Sequence, residues 1–147
     1  MRLTEILKQD QDLNNFIAKT KQVKNSLITG ANAGAFSLLL KQIVSEPNAP
    51  LILIEENESK AQNLYGELNS ILEDDAAHYF PVDATIATQT AVSSPDELSS
   101  RIQSLNFLLS GKPGIVVTTP QGLQYKLSSP ADFARHGENL HQKKNMN

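Results

Sequence analysis

Cysteine is absent from this sequence, and its absence excludes a disulfide-stapled scaffold, a thiolate metal site and a cysteine nucleophile. There is no excess of basic residues: 13 Lys and Arg stand against 16 Asp and Glu, a formal charge of −3. That balance argues against a domain held to nucleic acid mainly by a broad basic surface. Long apolar runs are also missing. Runs such as 38–40 and 51–54 are core-sized, far short of the roughly 18 residues a membrane span requires. Residues 1–24 are polar and lack the apolar stretch of a secretion signal. The expectation is a soluble, cytoplasmic protein with no membrane partner. Histidine is scarce as well. His78 falls at the edge of a strand, while His136 and His141 fall in a polar tail, so the three make no ligand set and no metal site is expected.

What is present suffices for a packed core: 147 residues, 39% hydrophobic and 20% charged, the size of one domain or of a piece of a larger one. Leu3, Ile6, Leu7, Leu13, Phe16 and Ile17 recur at helical spacing, which predicts a helix over 4–19. The polar, basic stretch 20–25 reads as a linker, so 1–24 forms an N-terminal helix and linker. From Ser26 the pattern alternates. Residues 26–29 (SLIT) predict a short strand, 30–35 a loop of small residues, and Phe36, Leu39, Leu40, Ile43 and Val44 the buried face of a helix broken at 47–50. The continuous apolar run 51–54 (LILI) suits a strand covered on both faces. Ser59 as N-cap with Gln62 at the third helical position predicts the next helix, with Leu64, Tyr65, Leu68, Ile71 and Leu72 as its stripe. A third strand is expected at 78–82 and a loop at 83–93. Ser94, Pro95, Asp96 and Glu97 are the strongest helix start in the chain. That helix carries the stripe Leu98, Ile102, Leu105, Leu108 and Leu109 and ends at Gly111. Residues 115–118 (IVVT) predict the fourth strand. Strands alternating with helices imply parallel strands joined by crossovers, hence an α/β fold with a three-layer parallel sheet over 25–133. Residues 134–147 hold too little apolar surface to pack and read as a disordered tail.

The loop after the first expected strand is the place where chemistry could reside. In open α/β sheets ligands bind beyond the carboxyl ends of the strands, and a small-residue loop feeding a helix offers backbone N–H groups to a phosphate. The loop reads Gly30, Ala31, Asn32, Ala33, Gly34, Ala35, Phe36, Ser37. Laid on the phosphate-loop pattern G-x-x-x-x-G-K-[ST], Ala35 takes the place of the second glycine, Phe36 that of the lysine, and Ser37 keeps the magnesium-binding hydroxyl. The β- and γ-phosphates lose their cation, which favours a plain packing turn between helix and strand over retained nucleotide binding; the loop reads as a vestigial, inactive phosphate loop only through the family resemblance given below. A dinucleotide-binding fold needs G-x-G-x-x-G, and Gly30 and Gly34 do not have that spacing, although Glu55 closes the second strand. A second place is Thr119 with Pro120, where a capped helix start could present N–H groups to a DNA phosphate or serve as an ordinary turn.

Other clusters read as structure. Glu73, Asp74 and Asp75 form a solvated helix end, Glu55 and Glu56 lack a reaction partner, and Lys19, Lys21 and Lys24 form a solvated basic linker. Tyr65, Tyr79 and Phe80 are spaced as core residues rather than as a base-stacking platform.

Taken together, Ser26-Leu27-Ile28-Thr29-Gly30, Pro50-Leu51-Ile52-Leu53-Ile54, Ala61-Gln62-Asn63-Leu64-Tyr65-Gly66-Glu67-Leu68 and Tyr79-Phe80-Pro81-Val82-Asp83 resemble the start of the bacterial transcription-repair coupling factor family. The resemblance continues in Ser94-Pro95-Asp96-Glu97-Leu98, Arg101-Ile102 and Leu108-Leu109-Ser110-Gly111-Lys112-Pro113-Gly114-Ile115-Val116-Val117-Thr118-Thr119-Pro120. It covers about residues 24–130 and ceases near Arg135. It implies an N-terminal module similar to the helicase-like first domain of the excision-nuclease B subunit, a fragment of a longer protein with a degenerate phosphate loop, and Phe36 in place of lysine fits that degeneracy. It also implies a parent that uses ATP to displace stalled RNA polymerase at DNA lesions and recruits excision repair. The parent's partners would be RNA polymerase, the excision-nuclease A subunit and double-stranded DNA, with ATP and magnesium confined to its motor domain. This chain would hold no cofactor and no catalytic residue, and its own partners would be the parent's other domains. Thr119 and Pro120 occupy the place of a DNA-contacting motif. The rival expectation, from the loop alone, is a small nucleotide-binding hydrolase with an atypical phosphate loop.

Overall fold

The computed structural model describes residues 9–44, 50–72, 75–82, 94–124 and 126–133. Its elements are α1 (Gln11–Gln22), α2 (Ala33–Val44), β1 (Leu51–Ile54), α3 (Glu58–Ile71), β2 (Ala77–Tyr79), α4 (Pro95–Ser110), β3 (Ile115–Thr118) and α5 (Pro120–Leu123). The expected loop at 83–93 and the expected tail at 134–147 lie outside the described residues, as do residues 1–8 of the first expected helix.

The three strands form one parallel sheet in the order β1-β3-β2. β3 is central: Leu51 pairs with Ile115 on one side and Ala77 with Ile115 on the other. The IVVT run therefore has no free edge, and all four of its residues are buried. Alternation then divides the core. Ile115 and Val117 point into a cluster with Leu40 of α2, Ala61, Leu64 and Leu68 of α3, and Ala77. Val116 points the other way, to Phe80 and to Phe107 of α4. Helices thus lie on both faces of the sheet, the layered α/β arrangement expected from the alternating pattern.

Polar contacts hold the layers in register. Ser104 Oγ of α4 donates to the carbonyl of Tyr79 at 2.9 Å, and Thr118 Oγ1 donates to the carbonyl of Phe80 at 3.1 Å. Phe80 N–H donates to the carbonyl of Val117 at 2.9 Å, prolonging the pairing of β2 by one residue. Glu58 Oε1 accepts from the Val82 N–H at 3.2 Å, and Lys41 Nζ donates to the carbonyl of Ile71, tying α2 to the end of α3.

Six local expectations need correction. LILI is not covered on both faces, since β1 lies at the sheet edge with Ile52 46% and Ile54 53% exposed. The strand expected over 78–82 is Ala77–Tyr79. Residues 26–29 form no strand: they are exposed coil, with Leu27 87% exposed. Both sides of β3 are already occupied and 26–29 does not join the outer edge of β1, so strand-forming residue types find no ladder. The helix expected over 4–19 is interrupted at Asp10 within the described residues, Gln9 before it being helical, and it ends later than expected. Asp10 caps α1, accepting from the N–H of Asp12 at 2.9 Å and of Leu13 at 3.1 Å, and α1 runs into the expected linker as far as Gln22. The cap of α3 is Asn57, not Ser59: Asn57 has extended backbone and its Oδ1 accepts from the Lys60 N–H at 3.0 Å. Only part of the predicted α4 stripe turns inward: Leu105 and Leu108 pack, partly buried, against Phe80, Phe107 and Val116. Arg101, Ser104 and Phe107 are buried, whereas Leu98, Ile102 and Leu109 are exposed. The Ser104 bond to β2 and the Phe107 contact with Gly114 set this rotation.

The helix start at Ser94-Pro95 and the left-handed stop at Gly111 (φ 64°) stand as expected, although the Ser94 side chain makes no capping bond. Gly114 has a stricter role. Its φ is 157°, and a Cβ there would lie 2.5 Å from Phe107 Cζ and 2.6 Å from the carbonyl oxygen of Ala76. Gly66, in the middle of α3, has open space around it. The two glycines therefore respond oppositely to one methyl group. Gly114→Ala is expected to destabilise the fold by about 2–3 kcal/mol, and Gly66→Ala to stabilise it by about 1 kcal/mol. Urea denaturation checks both signs.

Candidate functional site

The small-residue loop still feeds a helix. Gly30 is left-handed (φ 84°), and Asn32 closes the start of α2, its Oδ1 accepting from the Ala35 N–H at 2.9 Å and its carbonyl accepting from the Phe36 N–H at 2.9 Å. The loop does not spring from the sheet, because the strand expected before it is coil. Ala31, Asn32, Gly34 and Ala35 are exposed, and a Cβ at Gly30 would meet nothing within 4 Å.

Phe36 is half-buried and packs against the main core cluster, so the position aligned with the phosphate-loop lysine serves packing. Ser37 is buried, and its hydroxyl donates to Glu67 Oε2 at 3.0 Å. Ala31, Asn32 and Phe36 line an open cavity of about 310 Å³ together with Glu55, Lys60, Asn63, Leu64 and Glu67. The cavity lies beyond the carboxyl end of β1. Glu55 follows that strand directly, and its N–H donates to the carbonyl of Thr118 at 2.8 Å, which holds the ends of β1 and β3 side by side.

The cavity's electrostatics oppose a phosphate. Glu55 and Glu67 each bring a carboxylate. The ammonium among the lining groups, Lys60, lies 2.6 Å from Glu56 Oε1. The hydrogen bond to Glu56, then the charge of Glu56, raise the Lys60 pKa above its ordinary value, with a smaller push from Glu55. Its positive charge is thus engaged by a carboxylate that does not itself line the cavity.

Sequence reasoning found residues 30–37 but missed Lys60, Asn63 and Glu67. Their spacing of three and four was a readable signal: it puts them on one face of α3, beside Leu64. Thr119 is buried (1% exposed), its hydroxyl has no hydrogen-bond partner, and Pro120 next to it is exposed at the start of α5. In this conformation the Thr119 side chain does not reach the surface. His78 is half-buried against Phe107, with ring centroids 4.2 Å apart. His136, His141, Glu73 and Asp74 lie outside the described residues. Tyr65 and Tyr79 stack at 5.9 Å and pack against the core cluster, as their spacing predicted. Among the described residues there is no group of three or more His, Cys, Asp or Glu that could hold a metal ion, and no helix is long and apolar enough to cross a membrane.

No family model matches the chain, and neither does any solved structure. Curated proteins do. The transcription-repair-coupling factor of Bacillus subtilis (strain 168) is 31% identical over 112 residues, 76% of this chain and 10% of that protein. The protein of the same name from Staphylococcus aureus (strain bovine RF122 / ET3-1) is 28% identical over 137 residues, 91% of this chain and 11% of that protein. Its counterpart in strain USA300 is 27% identical over the same length. The chain thus spans about a tenth of the length of these relatives. Matched over most of its length by proteins of one name, it belongs to the transcription-repair coupling factor family.

Proposed function

We propose that this chain is a non-catalytic module of a transcription-repair coupling factor, the ATP-dependent DNA translocase that displaces stalled RNA polymerase and recruits nucleotide excision repair. The observation that carries this reading is the state of the loop at 30–37. Phe36 packs inward where a cation would be needed, and Ser37 is held by a carboxylate. Such a loop is a vestigial phosphate site of a helicase-like domain. ATP and magnesium belong to the parent's motor domain, as do the contacts with double-stranded DNA. The parent meets RNA polymerase and the excision-nuclease A subunit elsewhere, and this module scaffolds the recruiting domain and restrains the motor. The parent works in the cytoplasm. No observation favours a small nucleotide hydrolase.

The module's own partners are other domains of the parent, and its apolar surface supports that assignment. Ile52 and Ile54 of β1 are 46% and 53% exposed, on the sheet face that α4 covers only in part. The outward stripe of α4 (Leu98, Ile102, Leu109) lines an open cavity of about 350 Å³ with Leu127 and Phe133. A second cavity of about 150 Å³ joins Ile52 to Leu105, Leu123 and Leu127. Apolar surface of this extent marks a contact face rather than a solvated one.

Two measurements test the reading. Calorimetric titration of the chain with ATP and magnesium is expected to show no saturable binding up to about 1 mM, weaker than roughly 4 kcal/mol. Saturable binding below that concentration, or hydrolysis stimulated by nucleic acid, would overturn it. Leu98→Gln with Ile102→Gln is expected to change the unfolding free energy of the isolated chain by no more than about 0.5 kcal/mol, and to lower the thermal stability of the full-length parent clearly. Equally small effects in both would remove the docking role of this face.

A further inference from the structure

The loop has lost a lysine, and the structure adds a second reason for its silence. The hydroxyl of Ser37, which has one proton to donate, gives it to Glu67 at 3.0 Å. Glu67 comes from α3 and Glu55 from the end of β1, so two elements converge their carboxylates on one cavity. The nearby ammonium of Lys60 is engaged by Glu56. We propose that Glu67 is the specificity-determining residue of this cavity: it excludes phosphate by holding Ser37 Oγ and by giving the cavity the sign of the ligand. This rests on the reading of 30–37 as a vestigial phosphate loop.

The consequence is that exclusion is encoded twice. A lysine restored at position 36 meets a serine that is already bonded and two carboxylates that repel an arriving polyphosphate. The cavity is open to water, so the repulsion is screened by salt, and the one ammonium lining it, Lys60, is paired with Glu56 and faces two lining carboxylates.

The probe is inorganic tripolyphosphate, titrated by calorimetry at low ionic strength with EDTA present so that no metal bridges the carboxylates. The chain itself and Phe36→Lys are expected to show no saturation below about 10 mM. Phe36→Lys with Glu67→Gln, and Glu67→Lys alone, are expected to bind at least about tenfold more tightly, with amide shifts at Gly30 and Gly34 and with loss of binding at about 1 M salt. Phe36 packs against the core, so its variants are checked by circular dichroism. Where they fail to fold, Glu67→Lys decides alone, since Glu67 lies exposed on α3. Equal affinities for Phe36→Lys with and without Glu67→Gln, no gain for Glu67→Lys, or a gain located away from 30–37 would each overturn the role of Glu67. Tight binding by the unaltered chain would instead overturn the closed-loop reading beneath it.

Discussion

The double-sided burial of β3 is the constraint on which the rest of the structure depends. Four residues pair in parallel on both sides, and their alternation places Ile115 and Val117 in one apolar layer and Val116 in the other. Full burial of each such side chain stabilises the fold by about 1.5–3 kcal/mol, and nowhere else in the sheet are both faces covered so fully. The neighbouring features follow. Gly114 must be glycine because Phe107 and the Ala76 carbonyl close on the backbone where β3 begins. The Glu55–Thr118 bond where β3 ends brings Glu55 to the cavity. A strand anchored in this way fixes the positions of the site residues without needing the loop at 30–37 to join the sheet.

The sequence was most legible where a local signal and the tertiary context ask for the same thing. IVVT is a strand because a β-branched run suits a buried parallel ladder, LILI forms its edge partner with Ile52 and Ile54 exposed, and Pro95 and Gly111 bound α4 because each fits a backbone conformation its position requires. It was least legible where the outcome depends on a partner. Residues 26–29 have strand-forming types, but type alone does not supply a neighbouring strand. The leucines of α4 mark an apolar stripe correctly, yet periodicity does not say how far the stripe faces the sheet: Leu105 and Leu108 pack inward while Leu98, Ile102 and Leu109 stay exposed. The cap at Asn57 beat the reciprocal pattern at Ser59 because Asn57 already had the extended backbone a cap needs. Glu67 escaped notice because its hydrogen-bond partner, Ser37, is 30 positions away.

The site and the surface point the same way. A cavity at the carboxyl end of the sheet, where α/β proteins bind ligands, is lined by two carboxylates and by one lysine that is paired with Glu56, and beside it Phe36 packs on the core while Ser37 bonds Glu67. On the side of the sheet that α4 covers, Ile52 and Ile54 and the α4 residues Leu98, Ile102 and Leu109 are exposed. The proposed role as a module that positions other domains rests on these two features together.

Amide hydrogen exchange with and without ATP and magnesium tests this account most directly, because local opening reports both the sheet and the loop. The expected result is slowest exchange at 115–118, rapid exchange at 26–32, and no change at 30–37 when nucleotide is added. Protection of 26–29 as strong as that of β3, or nucleotide-dependent protection across 30–37, would contradict it.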